Sequence, residues 1–233
     1  MQKSVPVDVL EEMIAYYRQR AAEYDEWWDR RGRYDRGEVC NKQWFDERAA
    51  VFAAFDAVPL TDHVLELAPG TGIWTQRLVN KAAKITAVDA SEEMIAINRA
   101  RIASPKVNYL VADLFQWEPT ETYDGVVFAF WVSHVPVERL EGFFATVARA
   151  LRPGGRVFFV DGLREATSTA ANHVLPEERE QVMVRKLNDE RAFRIVKNFY
   201  APQELISVCR RVGLQVSVST TGSYFYFGQG VRT

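Results

Sequence analysis

Three acidic residues sit at or near the ends of apolar runs: Glu66 in His63-Val64-Leu65-Glu66-Leu67, Asp89 after the β-branched run Lys84 to Val88, and Asp113 after Val107 to Ala112. Gly70 and Gly72 follow the first run in the segment LELAPGTG (65 to 72). Glycines let a backbone approach a ligand closely and take positive φ. A helix that opens just after them presents free N–H groups suited to an anion such as a carboxylate. An acid ending the second run suits paired ribose hydroxyls. An acid ending the third can accept a hydrogen bond from an adenine amino group. A glycine pair alone supports no more than a nucleotide-type ligand. The dinucleotide fingerprint G-x-G-x-x-G needs a third glycine, and Thr75 stands in that place.

These residues must be held by regular elements, and the pattern supplies them. A helix follows the glycines over Trp74 to Val79. Ser91 caps the next helix, with Glu92 and Glu93 in its first turn, where carboxylates favour the dipole. Gly125 to Phe130 and Arg156 to Val160 read as a fourth and a fifth strand. Between them a helix over about Val137 to Leu151 carries Leu140, Phe143, Phe144, Val147 and Leu151 at helical spacing, and stops at Arg152-Pro153-Gly154-Gly155. Alternating strands and helices with short turns predict a parallel sheet covered on both faces. The end of the chain breaks that rhythm. Pro202 opens a helix that ends at Gly213, and Leu214 to Ser219 and Tyr224 to Phe227 form a hairpin about Thr221-Gly222-Ser223.

The chain has 233 residues, 48% apolar and 26% charged, with a net charge of −2. That is the profile of one globular α/β domain, with no basic excess for nucleic acid. No apolar stretch is long enough for a membrane span, and the N-terminus lacks the apolar core of a signal peptide. Cys40 and Cys209 have no metal-ligand or disulfide spacing, so reduced thiols and a cytoplasmic location are expected, with Cys209 buried on a helix face shared with Leu205 and Val212. No metal site is expected, and oligomeric state is not readable. Two segments stand outside the core. Residues 1 to 56 are helical and rich in aromatics, and residues 162 to 200 form a long insertion.

With these features the chain resembles the class I S-adenosylmethionine (SAM)-dependent methyltransferases over about residues 10 to 230. The resemblance implies a Rossmann-like three-layer sandwich with a seven-stranded sheet, order 3-2-1-4-5-7-6, the seventh strand antiparallel. It implies SAM as cofactor, yielding S-adenosyl-L-homocysteine (SAH). Gly70 and Gly72 would lie against its methionine part, with Glu66, Ala68 and Thr71 as further cofactor-binding residues of the same segment. Asp89 would hold the ribose hydroxyls, and Ala90 and Met94 would flank the adenine. Asp113 would take the adenine amino group, with Leu114 supporting the ring. Phe130 and Trp131 would lie near the cofactor. The segment YYRQRAAEYDEWW (16 to 28) resembles the lid of small-molecule methyltransferases, with Tyr24 in the A-x-x-Y-D position of a SAM contact. Aromatic faces attract a sulfonium cation, and a lid excludes water. Packing alone would also explain Tyr17 and Trp27.

The acceptor must be read elsewhere. His134 in FWVSHVP (130 to 136) is the candidate general base, or else a histidine that orders its loop. In FRIVKNF (193 to 199) strand parity places Lys197 with Phe193, Ile195 and Phe199, and Arg194 on the outer side. A lysine on an apolar face snorkels or meets an anion. The segments VRKLNDERAFRIVKNF, FWVSHVP and YYRQRAAEYD resemble phosphonate O-methyltransferases of the dehydrophos type. That resemblance implies an anion held by Lys197, by Arg185 or Lys186, and by a tyrosine for which Tyr34 is the nearest match. The expected activity is methyl transfer to a small-molecule acceptor, an anionic phosphonate or carboxylate oxygen. Transfer to a neutral phenol, thiol or amine, a SAM-consuming cyclase or lyase, and a non-catalytic SAM-fold protein stay open as alternatives.

Overall fold

The computed structural model describes residues 4–233. The chain builds a seven-stranded sheet in the order β3-β2-β1-β4-β5-β9-β8 and a separate two-stranded sheet, β6-β7. The strands are β1 (His63–Leu67), β2 (Lys84–Asp89), β3 (Val107–Val111), β4 (Tyr123–Ala129), β5 (Leu151–Gly162), β6 (Val182–Lys186), β7 (Ala192–Val196), β8 (Leu214–Thr220) and β9 (Phe225–Arg232). Strands β1 to β5 are parallel, and β9 runs antiparallel between β5 and β8. With β6 and β7 set aside as an inserted hairpin, this is the expected order, its last strand reversed. The central strands are buried on both faces, so they read as unbroken apolar runs rather than alternating ones.

The helices are α1 (Val7–Arg20), α2 (Tyr24–Trp28), α3 (Glu38–Ala57), α4 (Thr75–Leu78), α5 (Glu92–Ile102), α6 (Leu140–Ala150) and α7 (Pro202–Arg211). Ser91 caps α5 as expected, its hydroxyl accepting from the Met94 N–H at 3.1 Å. Helix α6 ends earlier than expected. Leu151 already pairs with Tyr123, and Arg152 to Gly155 form an irregular entry into β5 rather than a loop before it. Cys209 is buried in α7 as expected, and burial pushes its thiol up to about 12.

The two outlying segments divide differently from the sequence reading. Helix α3 belongs to the core: Trp44, Val51 and Phe55 are fully buried with Trp28, Trp74, Phe158 and Phe225 on one face of the sheet. Helix α1 belongs to the insertion instead. Its Val9, Leu10, Met13 and Tyr16 form a separate cluster with Met183, Leu187, Ile195 and Val196 of the β6-β7 hairpin. Each such side chain taken from water is worth about 1.5–3 kcal/mol, enough to fold the hairpin and α1 onto one another. Arg194, on the outer side as expected, pairs with Asp8 and Glu12 of α1.

Candidate active site

The carboxyl ends of β1, β2 and β4 open on a cavity beneath α1 and α2, the place where open α/β sheets bind ligands. Its walls include Tyr24, Ala68, Gly70, Asp89, Ala90, Met94, Asp113, Leu114, Phe130 and Trp131, ten of the expected cofactor residues. Asp89 ties its base together. One carboxylate oxygen accepts from the Gly70 N–H at 3.1 Å and the other from the Ser91 N–H at 2.9 Å. Burial pushes this carboxyl up to about 6, against the pull of those donors. Asp113 accepts from the Phe115 N–H and the Gln116 side chain.

The backbone itself is shaped here. Gly70 has φ of 54°, and a Cβ there would meet no atom within 4 Å, so the loop leaves room on the side where a ligand would lie. Ala68 (φ 51°) and Phe130 (φ 54°) also take the left-handed conformation, at the ends of adjacent strands β1 and β4. Non-glycine residues rarely do so, at a cost of order 1–3 kcal/mol each, and such outliers cluster at functional sites. Both line the cavity. The indole N–H of Trp131 is buried with no protein partner. An open glycine turn, an acid at the end of β2 and a free indole donor are groups that fit the nucleoside and amino-acid ends of SAM.

Three expected cofactor residues do not line this cavity. Gly72 packs against Asn98, whose side chain a Cβ would strike at 2.9 Å. Thr71 donates to Asp25 of α2 at 2.6 Å, and Arg101 of α5 pairs with the same carboxylate. Thr71 therefore fastens the lid to the loop. Glu66 lies behind the loop, 1% exposed, and burial pushes its carboxyl up to about 8 against the Thr75 side chain. This makes a stability prediction. A raised folded-state pKa favours the folded state at low pH, and that advantage is lost as pH climbs from 4.5 towards 8. Glu66→Gln removes the loss. Relative to wild type it becomes more stable across that window, by a few kcal/mol at about pH 8, as read from urea midpoints.

A second cavity adjoins the first, and Tyr17, Tyr24, Phe130 and His134 line both. Its other walls include Arg20, Trp27, Arg185, Lys197 and Phe199. Lys197 is 9% exposed; its ammonium donates to the Ser133 hydroxyl at 2.8 Å and lies 3.5 Å from the fully buried Asp161. Burial lowers Lys197 to about 8, with Asp161 opposing and Arg185 reinforcing the shift. The alternation of β6 separates the two candidate cations. Arg185 faces the cavity, while Lys186 pairs with Glu190 on the outer surface at 2.7 Å. The assignment of Lys186 to the acceptor is corrected accordingly. Tyr34 is corrected too. It is 1% exposed and lines neither cavity, its hydroxyl accepting from Arg20 at 3.1 Å.

His134 is held at both ring nitrogens. Nδ1 lies 2.6 Å from the Val196 carbonyl, which only accepts, so Nδ1 carries the proton. Nε2 lies 2.7 Å from the Tyr17 hydroxyl and accepts from it. Burial, then Lys197 and Arg185, hold the ring well below its usual pKa, hence neutral. Its lone pair is therefore taken by Tyr17, which it fixes between the cavities, and a base role for His134 would run through that hydroxyl. Sequence reasoning missed Arg20. Its signal was there: Tyr17, Arg20 and Tyr24 are spaced i, i+3, i+7 along one helical face.

A methyltransferase-domain profile matches residues 64–155. The chain is 25% identical over 201 residues to the ubiquinone biosynthesis O-methyltransferase of Stutzerimonas stutzeri (strain A1501), covering 82% of this chain and 78% of that one. It is 24% identical over 178 residues to malonyl-[acyl-carrier protein] O-methyltransferase 2 of Ilyobacter polytropus, covering 68% of each. Among solved structures, the DhpI–SAM–HEP complex superposes with a TM-score of 0.79 at 34% identity, over 97% of this chain and 99% of that one. The N-methyltransferase NodS from Bradyrhizobium japonicum WM9, 13% identical with a TM-score of 0.61 over 95% of this chain and 98% of that one, shares the fold. The cofactor is SAM, and the chain belongs to the class I SAM-dependent methyltransferases.

Proposed function

We propose that the enzyme methylates an oxygen of a small anionic acceptor, a phosphonate or a carboxylate, bound in the second cavity. The observation that carries this reading is the charge of that cavity. Arg20, Arg185 and Lys197 line it, and among the described residues no aspartate or glutamate does. The DhpI structure solved with both SAM and HEP supports it by resemblance, as do the O-methyltransferase names of the curated relatives.

When bound, SAM supplies an electrophilic methyl group on a positive sulfur. Transfer forms the acceptor O–CH3 bond and breaks the S–CH3 bond, whose electron pair stays on sulfur. An ionised oxygen has no proton to lose, so no base is needed. The work left to the protein is alignment. Lys197 and Arg185 would orient the anion through charge-assisted hydrogen bonds, and Tyr17 and Phe130 would set its distance from the first cavity.

The test is SAH release from SAM with a panel of small phosphonates and carboxylates, each beside its neutral alcohol or amide. Turnover confined to the neutral members would overturn the reading. SAM consumed with no acceptor would establish the cyclase or lyase alternative. The same assay predicts a mild Tyr17→Phe variant. Loss of one neutral hydrogen bond lowers kcat/KM by about 10-fold at most, and the pH profile keeps its shape. A base relayed through His134 would instead lose about 100- to 10,000-fold.

A further inference from the structure

Arg20 is 1% exposed, yet among the described residues no carboxylate pairs with it. One terminal nitrogen donates to the Tyr34 hydroxyl at 3.1 Å, and its Nε is buried without a partner. The guanidinium carbon lies over the rings of Tyr24 at 4.9 Å and of Tyr16 and Tyr34 at 5.7 Å each. These rings hold the group in place and soften its burial, but they bring no negative charge. Arg185 repeats the pattern. It faces the same cavity, makes no ion pair among the described residues, and its Nε is likewise buried and unpartnered. Lys197 differs, because Asp161 stands behind it.

The charge count of the cavity follows from these pairings. Lys197 and Asp161 offset each other, which leaves two positive guanidinium groups without a counter-charge. A buried charge lacking a partner is strongly unfavourable. Arg20 is such a charge, while Arg185 is half-buried on the same cavity with its own unused N–H, and an anionic ligand would complete both.

Resting on the anionic-acceptor reading above, we propose that the acceptor is a compact dianion, a phosphonate or phosphate monoester, and that Arg20 is the specificity residue that reads its second negative charge. Arg185 and Lys197 alone suffice for a monoanion. Arg20 adds a third fixed donor, set by its tyrosine cage rather than by an acid. Methylation then removes one charge from the acceptor. The product is a monoanion that has lost its claim on Arg20, so the same residue that selects the dianion also weakens the hold on the product.

The test is calorimetry on the SAH-loaded enzyme, where no methyl group can be transferred. The probes are ethyl phosphate, ethylphosphonate and ethyl sulfate at pH 7.5, where a phosphate monoester carries its second charge and the sulfate of similar shape remains a monoanion. Wild type is expected to bind ethyl phosphate at least 30-fold more tightly than ethyl sulfate, the scale of losing one partner of a buried charge pair. The phosphonate arm tells a P–C from a P–O source. Arg20→Gln is expected to erase the preference by weakening ethyl phosphate alone, with SAH affinity unchanged, and Arg20→Lys to restore part of it; the phosphonate, which gives up its second proton less readily, is read against its own wild-type affinity. Equal binding of phosphate and sulfate by wild type, or equal weakening of both in Arg20→Gln, overturns the proposal while sparing the anionic acceptor. Binding of neither anion also overturns the proposal, and the SAH-release panel with its carboxylate members then decides the underlying reading separately. Should Arg20→Gln fail to bind SAH at all, the wild-type ratio and Arg20→Lys decide the matter.

Discussion

Asp89→Ala is expected to weaken SAH binding by about 100-fold, measured by calorimetry, while the protein still unfolds cooperatively. The carboxylate has two tasks. It accepts the Gly70 and Ser91 N–H groups, holding the glycine turn against the end of β2. It also lines the cavity where ribose hydroxyls would lie. Alanine removes the acceptor and frees two backbone donors. Hydrogen bonds to a charged group are worth about 1.5–3 kcal/mol each, so the loss of one ligand contact and a slackened turn gives the stated factor. Asp89→Asn, which keeps one carbonyl oxygen, should lose less. The pH dependence has a definite sign. Burial places this carboxyl at about 6 instead of 3.8, and protonation removes the acceptor that the hydroxyls need. Affinity for SAH is therefore expected to decline progressively as pH falls below about 6. In the free protein the same raised pKa works in reverse. It favours the folded state at low pH, and that contribution is lost as pH rises from 3.8 through 6.

The walls of the first cavity were legible in the sequence because their geometry is local. Gly70, Asp89 and Asp113 each follow directly from a strand end, and parallel strands announce themselves as apolar runs bounded by turns. The acceptor half depends on contacts between distant segments. Lys197 could be placed by strand parity, since its neighbours Phe193 and Ile195 share the side expected of it. Arg20 could not be weighed in the same way. Its burial results from α1 meeting the β6-β7 hairpin and from Tyr34 folding back beneath it, and an arginine among polar neighbours reads as a solvated one. The choice between Arg185 and Lys186 hung on a one-residue register, and a strand inverts every side chain with such a shift. His134 was singled out for its chemistry, but what occupies its lone pair is Tyr17, 117 positions away in the chain. The lid boundary failed for a related reason. The aromatics of α3 and those of α1 look alike in the sequence, yet Trp44 packs on the main sheet and Tyr16 on the inserted hairpin.

Lys197→Ala should raise KM for the acceptor at least 30-fold and leave the SAH dissociation constant within about 2-fold, since truncating a buried charged partner costs roughly 2–5 kcal/mol and Lys197 does not line the cofactor cavity. Equal loss of both affinities would refute its assignment to the acceptor. The variant also exposes a structural debt. Asp161 is fully buried and accepts the Ser133 and Gly162 N–H groups at 2.8 and 2.7 Å, with the Lys197 ammonium 3.5 Å away. Removing the cation leaves that carboxylate uncompensated, a loss of about 3–5 kcal/mol in folding stability. The pair Lys197→Met with Asp161→Asn separates the two effects. It removes both charges, so stability is expected to recover while acceptor KM stays high. Recovery of KM together with stability would mean that Lys197 serves only the fold. Wild-type pH dependence provides an independent check. With its ammonium lowered to about 8, Lys197 loses its charge as pH rises through that value, and acceptor KM is expected to climb there. A climb that belongs to Lys197 should vanish in Lys197→Ala and persist in Glu66→Gln, whose carboxyl is also raised to about 8 in the wild type.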